Sequence, residues 1–330
     1  MKEILQSLFE HKTLSRAAAR DVLVSIGQGK YNEHSVTAFM TVYLMRSITI
    51  DELLGFRDAL LELCHPVNLD QGDTIDIVGT GGDGKNTFNI STLACFIVAG
   101  AGQPVTKHGN YGASSVSGSS NVMEQLGYKF RNDSASLQRE LEEAGICFLH
   151  APVFHPALKS VGPIRRNLAI RTFFNMLGPL VNPARPAFQL VGVSNLEMAR
   201  IYSYVLQQSG SPFTIIHSLD GYDEISLTTE TKVITESGER IMTPEQLGKR
   251  MVHASDIEGG STVEEAASIF TRIIRADGSW AQNAVVLANA AMALFCTGRY
   301  RGYDDAYAAA VDSLESGSAL RSLQKLIALQ

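Results

Sequence analysis

The sequence predicts an α/β fold preceded by a helical segment, and three observations support this class. Residues 1–65 carry apolar positions at helical spacing. From residue 74 onward, short runs of β-forming residues alternate with longer helical patterns, which is typical of a parallel sheet with crossover helices. One of these runs, 74–78, leads through a glycine-rich loop into the apolar run 93–99.

Four helices are predicted in the first segment. Their ranges are 1–12, 15–26, 33–46 and 49–65. Ser15 can cap the second helix, and Thr49 with Glu52 has the spacing of a capping box at the start of the fourth. Pro66 ends the fourth helix, because proline cannot continue a helical hydrogen-bond ladder.

The apolar faces of these helices predict a homodimer. Phe39, Tyr43, Leu44 and Met45 lie close together along one helix. Short helices cannot bury that much apolar surface among themselves, and such a face is commonly covered by a second copy of the chain.

Strands of a central sheet are predicted from residue 74 onward. Their ranges are near 74–78, 104–107, 146–149, 188–193 and 213–217, followed by a hairpin-like pair over 231–242 that turns at 237–238. Later helices are predicted to begin at Thr243 and Ser261, which open capping-box patterns.

The loop after the first strand is the strongest functional signal. Residues 79–84 contain four glycines and are followed, after Ser91 and Thr92, by the predicted helix. Glycine lets the backbone approach a ligand closely, and bare N–H groups at a helix N-terminus attract anions. We expect a phosphate or pyrophosphate here, although the loop is neither a Walker loop nor a G-x-G-x-x-G motif. The alternative is a glycine-rich turn without a ligand.

A second polar loop follows the next predicted strand. Residues 107–120 combine Lys107, His108, Asn110, several hydroxyl groups and three glycines. Parallel α/β sheets bind ligands beyond the carboxyl ends of their strands, so both loops are expected to face one cleft. Lys107 is expected to supply positive charge for a phosphate, with a surface salt bridge as the alternative.

Composition excludes several classes of function. The chain has 330 residues, 45% of them hydrophobic and 19% charged, and its net charge is −6 without a long basic run. These values argue against nucleic acid as a partner, and no apolar stretch has the length of a membrane span. Four cysteines are scattered without metal-ligand spacing, which favours free thiols in the cytoplasm.

Four motifs together resemble one family. They occupy residues 79–92, 107–119, 155–183 and 221–226, and they are similar in order and spacing to those of the anthranilate phosphoribosyltransferases. The resemblance extends over essentially the whole chain. It implies a small discontinuous all-α domain plus a large α/β domain with a mostly parallel central sheet, as in nucleoside phosphorylases. The implied domain pieces are 1–66 and 163–186 for the helical domain, and 67–162 and 187–330 for the α/β domain, with the cleft between the two.

The family's activity is implied by the same motifs. It is the transfer of the phosphoribosyl group from phosphoribosyl pyrophosphate to the amine of anthranilate in tryptophan biosynthesis. The expected cofactor is Mg²⁺, as two ions bound with the donor pyrophosphate. The resemblance also points to a homodimer.

The resemblance implies the following site residues. Donor-binding positions are Gly79, Gly82, Asp83, Thr87, Asn89, Ile90, Ser91, Thr92, Lys107, His108, Gly109, Asn110, Ser114, Ser115 and Ser119. Anthranilate-binding positions are Gly79, His108, Asn110, Pro152, His155, Arg165 and Gly178, with Arg165 holding the carboxylate. Metal ligands are Ser91, Asp223 and Glu224, and the alternative for this acidic pair is a solvated turn. No catalytic base is assigned.

The chain departs from the family pattern at three positions. Tyr111 stands where arginine is usual, Val116 where lysine is usual, and Ala169 where glycine is usual. The first two changes remove positive charge close to the expected anionic donor. Two other classes stay open, a pyrimidine nucleoside phosphorylase and a non-enzymatic nucleic-acid-binding relative. The acidic pair and the segment around Arg165 disfavour the first, and the net charge disfavours the second.

Overall fold

The computed structural model describes residues 1–70, 72–112, 115–248 and 250–330. The helices are α1 Lys2–Phe9, α2 Arg16–Gly27, α3 Glu33–Met45, α4 Ile50–Leu63, α5 Ile90–Gly100, α6 Ser119–Gln125, α7 Ser134–Ala144, α8 Ala151–Phe154, α9 Leu158–Leu168, α10 Leu196–Gln207, α11 Pro244–Gly248, α12 Val263–Ile274, α13 Trp280–Cys296, α14 Tyr303–Glu315 and α15 Ser318–Ala328. The strands are β1 Ile75–Gly79, β2 Val105–Gly109, β3 Ile146–His150, β4 Phe188–Gly192, β5 Phe213–Ser218, β6 Thr231–Thr235 and β7 Gly238–Met242. Short 3₁₀ turns occupy Phe173–Met176, Gly178–Leu180 and Ala254–Ile257.

The chain divides into two compact units. The helical unit comprises Met1–Val67 and Ala151–Arg185, and the α/β unit comprises Asn68–His150 and Pro186–Gln330. The helical unit is therefore built from two separate stretches. Its second stretch begins at Ala151 rather than at residue 163, because α9 packs on α2 and α3 of the first stretch.

Aromatic packing joins the two stretches of the helical unit. Phe173, from the second stretch, stacks on Phe56 of α4 with 4.5 Å between ring centroids, and Phe39 and Tyr43 of α3 meet both rings edge-on. Phe39 and Tyr43 are therefore buried within the unit. The inference that these two side chains await a second copy is wrong, because the second stretch covers them.

Local signals in the first four helices act as predicted. Ser15 Oγ accepts a hydrogen bond from Ala18 N–H at the start of α2. Thr49 and Glu52 form both hydrogen bonds of a capping box at the start of α4. These caps satisfy N–H groups that have no partner inside the helix.

The described part of the α/β unit contains a seven-stranded sheet with the order β3-β2-β1-β4-β5-β6-β7. The first five strands along the chain pair in parallel, and β6 and β7 extend the sheet as an antiparallel hairpin. All five predicted strands and the hairpin are confirmed.

Two apolar helices form the centre of this unit. Residues 92–99 of α5 and 284–294 of α13 are buried throughout, and the two helices pack on each other. Among the described helices, none has both the length and the apolar character needed to cross a membrane.

The strand order fixes where a ligand can bind. The chain runs outward from β1 through β2 to β3, and then resumes on the other side of β1 with β4 and β5. The order thus reverses between β1 and β4, and α/β sheets of this type bind ligands beyond the carboxyl ends of the strands at such a point.

Candidate active site

Two paired glycines end the strands at the reversal point. Gly79 is the last residue of β1, Gly192 is the last residue of β4, and the two are partners in the sheet register. The Asp223 side chain lies against Gly79 and its backbone carbonyl against Gly192, so closely that a Cβ atom on either glycine would collide with it. Only glycine leaves room for Asp223 at these two positions.

Asp223 and Glu224 are bound to the glycine-rich loop. Asp223 Oδ2 accepts a hydrogen bond from Gly81 N–H at 2.7 Å, and Glu224 Oε1 accepts one from Ser91 N–H at 3.0 Å. Ser91 is in the first turn of α5, whose N-cap residue Asn89 makes no side-chain cap. Glu224 therefore caps α5, where the helix dipole favours a negative charge. Two N–H groups of the predicted anion-binding segment, those of Gly81 and Ser91, are therefore occupied by the chain's own carboxylates.

Burial leaves these carboxylates short of compensating positive charge. Burial, together with the nearby charge of Asp83, raises the pKa of Asp223 to about 7. Burial, followed by the charges of Asp223 and Asp83, raises the pKa of Glu224 well above its usual range. The alternative of a solvated acidic turn is wrong, since Asp223 is only 8% exposed.

The chemistry of this pair fits a hard divalent cation. Carboxylate and hydroxyl oxygens are the ligands that Mg²⁺ prefers, and a cation here would offset the charge that raises both pKa values. Among the described residues, no cluster of three or more His, Cys, Asp or Glu side chains is arranged to hold a metal alone. Two carboxylates and one hydroxyl are too few to fill the six-coordinate shell of Mg²⁺ by themselves.

The other predicted residues of the first loop surround the acidic pair. Gly82 adopts a left-handed φ of 73°, which glycine tolerates without strain. Asp83 accepts a hydrogen bond from Lys85 N–H at 3.0 Å, and Thr87 Oγ1 lies 3.5 Å from Glu224 Oε2. Asn89 donates through its amide to Ser117 O at 3.0 Å, which links the two polar loops. The side chains of Ile90 and Thr92 are buried in α5.

Lys107 lies beneath the site rather than on the surface. Its side chain is 2% exposed, and Nζ donates to the carbonyls of Ile77 at 2.8 Å and His108 at 3.3 Å. The surface salt bridge is therefore excluded. The buried ammonium also lowers the pKa of Glu224, although less than burial and the two neighbouring carboxylates raise it. Lys107 thus stabilises the negative charge of Glu224.

The remaining second-loop residues lie at the carboxyl end of β2. His108 is buried within the strand, and Gly109 leaves no room for a Cβ between the Phe148 ring and Ser119. Asn110 N–H donates to Ser119 Oγ at 3.3 Å, so the two ends of the loop are joined. Ser115 Oγ donates to Ser117 O at 3.3 Å. Ser114 lies outside the described residues.

The two positions that depart from the family pattern differ in their surroundings. Tyr111 meets the His150 imidazole edge-on, with 4.8 Å between ring centroids, and that imidazole stacks on Phe130 at 4.0 Å. Its hydroxyl also interacts with Glu124. Val116 is 43% exposed. Tyr111 is equally exposed, at 42%, so the two positions differ in the ring contact that Tyr111 makes and not in their exposure.

The remaining acceptor candidates belong to the helical unit. Arg165 stands in the last turn of α9, where its guanidinium lies 5.5 Å from the centroid of the Phe174 ring and donates to Asn175 Oδ1 at 3.4 Å. No carboxylate of the described residues forms a salt bridge with it, and burial lowers its pKa. An anionic ligand would stabilise the charge of an arginine in this setting, because a charge removed from water is costly unless it is paired.

Three further acceptor candidates lie in the same unit. His155 is 1% exposed, and burial lowers its pKa to about 4, so its imidazole is neutral at pH 7. Pro152 is in α8, and Gly178 begins the second 3₁₀ turn. A Cβ on Gly178 would have no neighbour within 4 Å, so there is open space beside it.

Sequence reasoning missed three polar residues that contact the candidate site. Asn86 Nδ2 donates to Gly260 O at 2.7 Å, and Gly259 N–H donates back to Asn86 O at 2.7 Å, which ties the first loop to a distant segment. Ser218 and Asn289 bind the backbone that follows Glu224. Only Asn289 gives a signal in the sequence, as the one polar residue within the apolar stretch 284–294.

Family models match both parts of the chain. Residues 71–320 match the glycosyl transferase family a/b domain, and residues 2–64 match the glycosyl transferase family helical bundle domain.

Two proteins of similar sequence have the same name. The anthranilate phosphoribosyltransferase of Flavobacterium johnsoniae is 58% identical over 99% of this chain and 98% of its own length. The anthranilate phosphoribosyltransferase of Bacteroides thetaiotaomicron is 56% identical over 100% of this chain and 99% of its own length.

Solved structures extend the likeness to the fold. The anthranilate phosphoribosyltransferase of Thermus thermophilus has a TM-score of 0.92 at 30% identity and covers 98% of both chains. The Saccharomyces cerevisiae enzyme in complex with PRPP and Mg has a TM-score of 0.90 at 27% identity, and the same enzyme with 4-fluoroanthranilate has 0.87 at 26%. Both cover 98% of this chain and 96% of their own. With more than half of its residues identical to those of named relatives over nearly the whole length, this chain belongs to the anthranilate phosphoribosyltransferase family.

Proposed function

We propose that this protein transfers the 5-phosphoribosyl group of phosphoribosyl pyrophosphate to the amine of anthranilate, with release of pyrophosphate. It would thus be a glycosyltransferase of the pentosyl class acting in tryptophan biosynthesis. One observation carries the proposal: the carboxylates of Asp223 and Glu224 are held on the glycine-rich loop at the reversal point of the sheet. The yeast relative solved with PRPP and Mg supports this choice of donor and metal.

The donor side follows from the charges at this point. Breaking the bond to pyrophosphate builds negative charge on the leaving group, which must be stabilised. Bound Mg²⁺ supplies that charge neutralisation, and we assign two ions that bind with the pyrophosphate. Asp223, Glu224 and Ser91 would hold metal, while the first-loop backbone and the hydroxyls of Thr87 and Ser119 would bind phosphate oxygens.

The acceptor side depends on Arg165. A half-buried guanidinium without a carboxylate partner among the described residues is suited to hold the anthranilate carboxylate bidentately. The amine of anthranilate is an aniline and is largely neutral at pH 7, so it can attack without prior deprotonation. The neutral His155 and the open space beside Gly178 suit an uncharged aromatic ring.

The proposed reaction is tested by leaving out each of its three components in turn. Purified protein is incubated with anthranilate, phosphoribosyl pyrophosphate and Mg²⁺, and anthranilate fluorescence is followed together with pyrophosphate release. We expect the fluorescence to fall only when all three are present, with one pyrophosphate released per anthranilate consumed. Cleavage of uridine or thymidine by inorganic phosphate, with no loss of anthranilate, would instead identify a pyrimidine nucleoside phosphorylase.

The assembly we propose is a homodimer in the cytoplasm. Leu44 and Met45, at the end of α3, are 40% and 84% exposed, and Phe9 of α1 is 61% exposed. An apolar surface of this kind favours burial against a second copy. All four cysteines are free thiols, as expected in a reducing compartment.

Light scattering tests the assembly. We expect the mass of two chains at micromolar concentration, and a shift toward one chain in Met45→Glu. Ile241→Glu is the control, because Ile241 is 60% exposed on β7 of the α/β unit. The mass of one chain for the unaltered protein would contradict the dimer.

A further inference from the structure

Two buried side chains bind the backbone that follows the acidic pair. Ser218 Oγ donates to Glu224 O at 2.7 Å and accepts a hydrogen bond from Ser226 N–H at 3.2 Å. Asn289 Oδ1 accepts from Ile225 N–H at 3.0 Å, and Asn289 Nδ2 donates to Ile225 O at 2.9 Å. Four backbone polar groups, from Glu224 O to Ser226 N–H, are thus bound by two side chains.

The surroundings make this arrangement rigid. Ser218 ends β5 and is 0% exposed, while Asn289 lies in the middle of α13 and is 2% exposed. Asn289 Nδ2 also donates to Val285 O at 2.8 Å, so each polar atom of its amide has a partner. Hydrogen bonds shielded from water are stronger than exposed ones, and a buried amide is costly unless its partners are present.

The position of Asn289 points to a role beyond packing. Every other residue of the stretch 284–294 is apolar, and an apolar residue there would fill the core without needing hydrogen bonds. The amide instead fixes Ile225, the residue directly after Glu224. Strand β5, through Ser218, and helix α13, through Asn289, thereby both bind the acidic turn, which comprises residues 223–226.

We propose that Ser218 and Asn289 are positioning residues, which hold the backbone of residues 224–226 so that the carboxylates of Asp223 and Glu224 face the donor's metal. This inference rests on the proposed function. Both side chains are buried, and every hydrogen bond given above for them is to a group of the chain itself. Each acts by preventing the acidic turn from moving away from Gly81 and Ser91, and small displacements of ligating groups are expensive.

The test uses Asn289→Ala and Ser218→Ala in the full-length protein, with Asn283→Ala as a matched control. Asn283 lies on the same helix and donates to the carbonyls of Ala276 and Gly278 at 3.4 Å, which are not part of the acidic turn. Binding of Mg²⁺ is measured by calorimetry with saturating pyrophosphate, so that no turnover takes place. Hydrogen exchange of the Ile225 amide is measured in parallel.

We expect Mg²⁺ binding to weaken about tenfold or more in Asn289→Ala and Ser218→Ala. The Ile225 amide should exchange faster in Asn289→Ala, and excess Mg²⁺ should restore the rate of anthranilate consumption. Asn283→Ala should keep the Mg²⁺ affinity of the unaltered protein. If Asn289→Ala does not fold, Ser218→Ala decides the question.

Unchanged Mg²⁺ affinity in a folded Asn289→Ala or Ser218→Ala protein would overturn the inference, as would equal losses in Asn283→Ala. Either result would leave the proposed function standing if the unaltered protein consumes anthranilate. Failure of the unaltered protein to consume anthranilate would instead reject the function itself.

Discussion

The carboxylate of Asp223 lies directly over Gly79, in the space that a side chain at position 79 would occupy. From there Asp223 reaches Gly81 N–H, two residues further along the loop. Gly79, the first glycine of the motif, therefore leaves space for Asp223, which comes from a distant part of the chain. Its role in this structure is to leave room for the Asp223 carboxylate.

Gly79→Ala is predicted to weaken donor-dependent Mg²⁺ binding. The added Cβ displaces the Asp223 carboxylate and breaks its hydrogen bond to Gly81, and a hydrogen bond to a charged group contributes about 1.5–3 kcal/mol. Calorimetry should show a loss of about tenfold or more. Gly72→Ala is the control, because a Cβ there has no neighbour within 4 Å. Equal Mg²⁺ affinity in the two variants would contradict the role of Gly79.

Arg165→Ala is predicted to impair anthranilate use. Loss of a desolvated carboxylate partner costs about 2–4 kcal/mol, or roughly 30- to 1,000-fold in kcat/KM for anthranilate. The KM for phosphoribosyl pyrophosphate should change little. Steady-state kinetics with each substrate varied in turn gives both values.

Arg166→Ala is the matched control for that variant. Arg166 is the next residue on α9 and is exposed, so its loss should leave both KM values near those of the unaltered protein. Weakened donor binding with normal anthranilate kinetics in Arg165→Ala would move Arg165 to another role.

Val116→Lys is predicted to tighten apparent donor binding at low salt. The side chain is 43% exposed in the second loop, so a lysine can be accommodated without repacking. The gain should shrink as salt rises, because exposed charges are screened over about 8–10 Å near physiological ionic strength. An unchanged donor KM at low salt would show that position 116 does not sense the phosphates.

Tyr111→Arg alone is a less direct test of the same idea. It adds a charge but removes the aromatic contact with His150. The double variant with Val116→Lys should therefore gain donor affinity and lose some stability. The two effects are separated by measuring the donor KM and thermal unfolding on the same samples.

Local sequence patterns predict most of the fold. The strand at 74–78, the helix after Ser91 and the capping box at Thr49 all depend on neighbouring residues, and the structure contains them. The burial of Phe39 and Tyr43 was not predictable, because Phe173 covers them from more than a hundred positions further along the chain.

The site shows the same division between local and distant information. The glycines and the acidic pair are visible as motifs in the sequence. The bonds from Gly81 and Ser91 to Asp223 and Glu224 span 142 and 133 positions, so no local pattern encodes them. The hydrogen bond from Ile225 N–H to Asn289 is also not encoded locally, because it depends on how α13 packs against the rest of the α/β unit.

The stability of the metal-free protein should fall as the pH rises from 3.8 to about 7. The pKa of Asp223 is about 7 in the folded chain, against an ordinary value of 3.8. Between these values the folded chain retains a proton that the unfolded chain has lost, so raising the pH through this interval favours unfolding. Urea unfolding at about pH 5 and about pH 8 should show a larger loss in the unaltered protein than in Asp223→Asn. The same loss in both proteins would contradict the raised pKa.

The central claim is that Asp223 and Glu224 hold Mg²⁺ jointly with the donor rather than in a preformed cage. Two carboxylates and a hydroxyl leave an octahedral shell incomplete, so oxygens of the pyrophosphate and water must complete it. The direct measurement is calorimetric titration of Mg²⁺ with and without phosphoribosyl pyrophosphate, in the unaltered protein and in the double variant Asp223→Asn/Glu224→Gln. We predict weak binding without the donor, tight binding with it, and loss of the donor-dependent binding in the double variant. Tight Mg²⁺ binding that is independent of the donor, or unchanged binding in the double variant, would contradict the account.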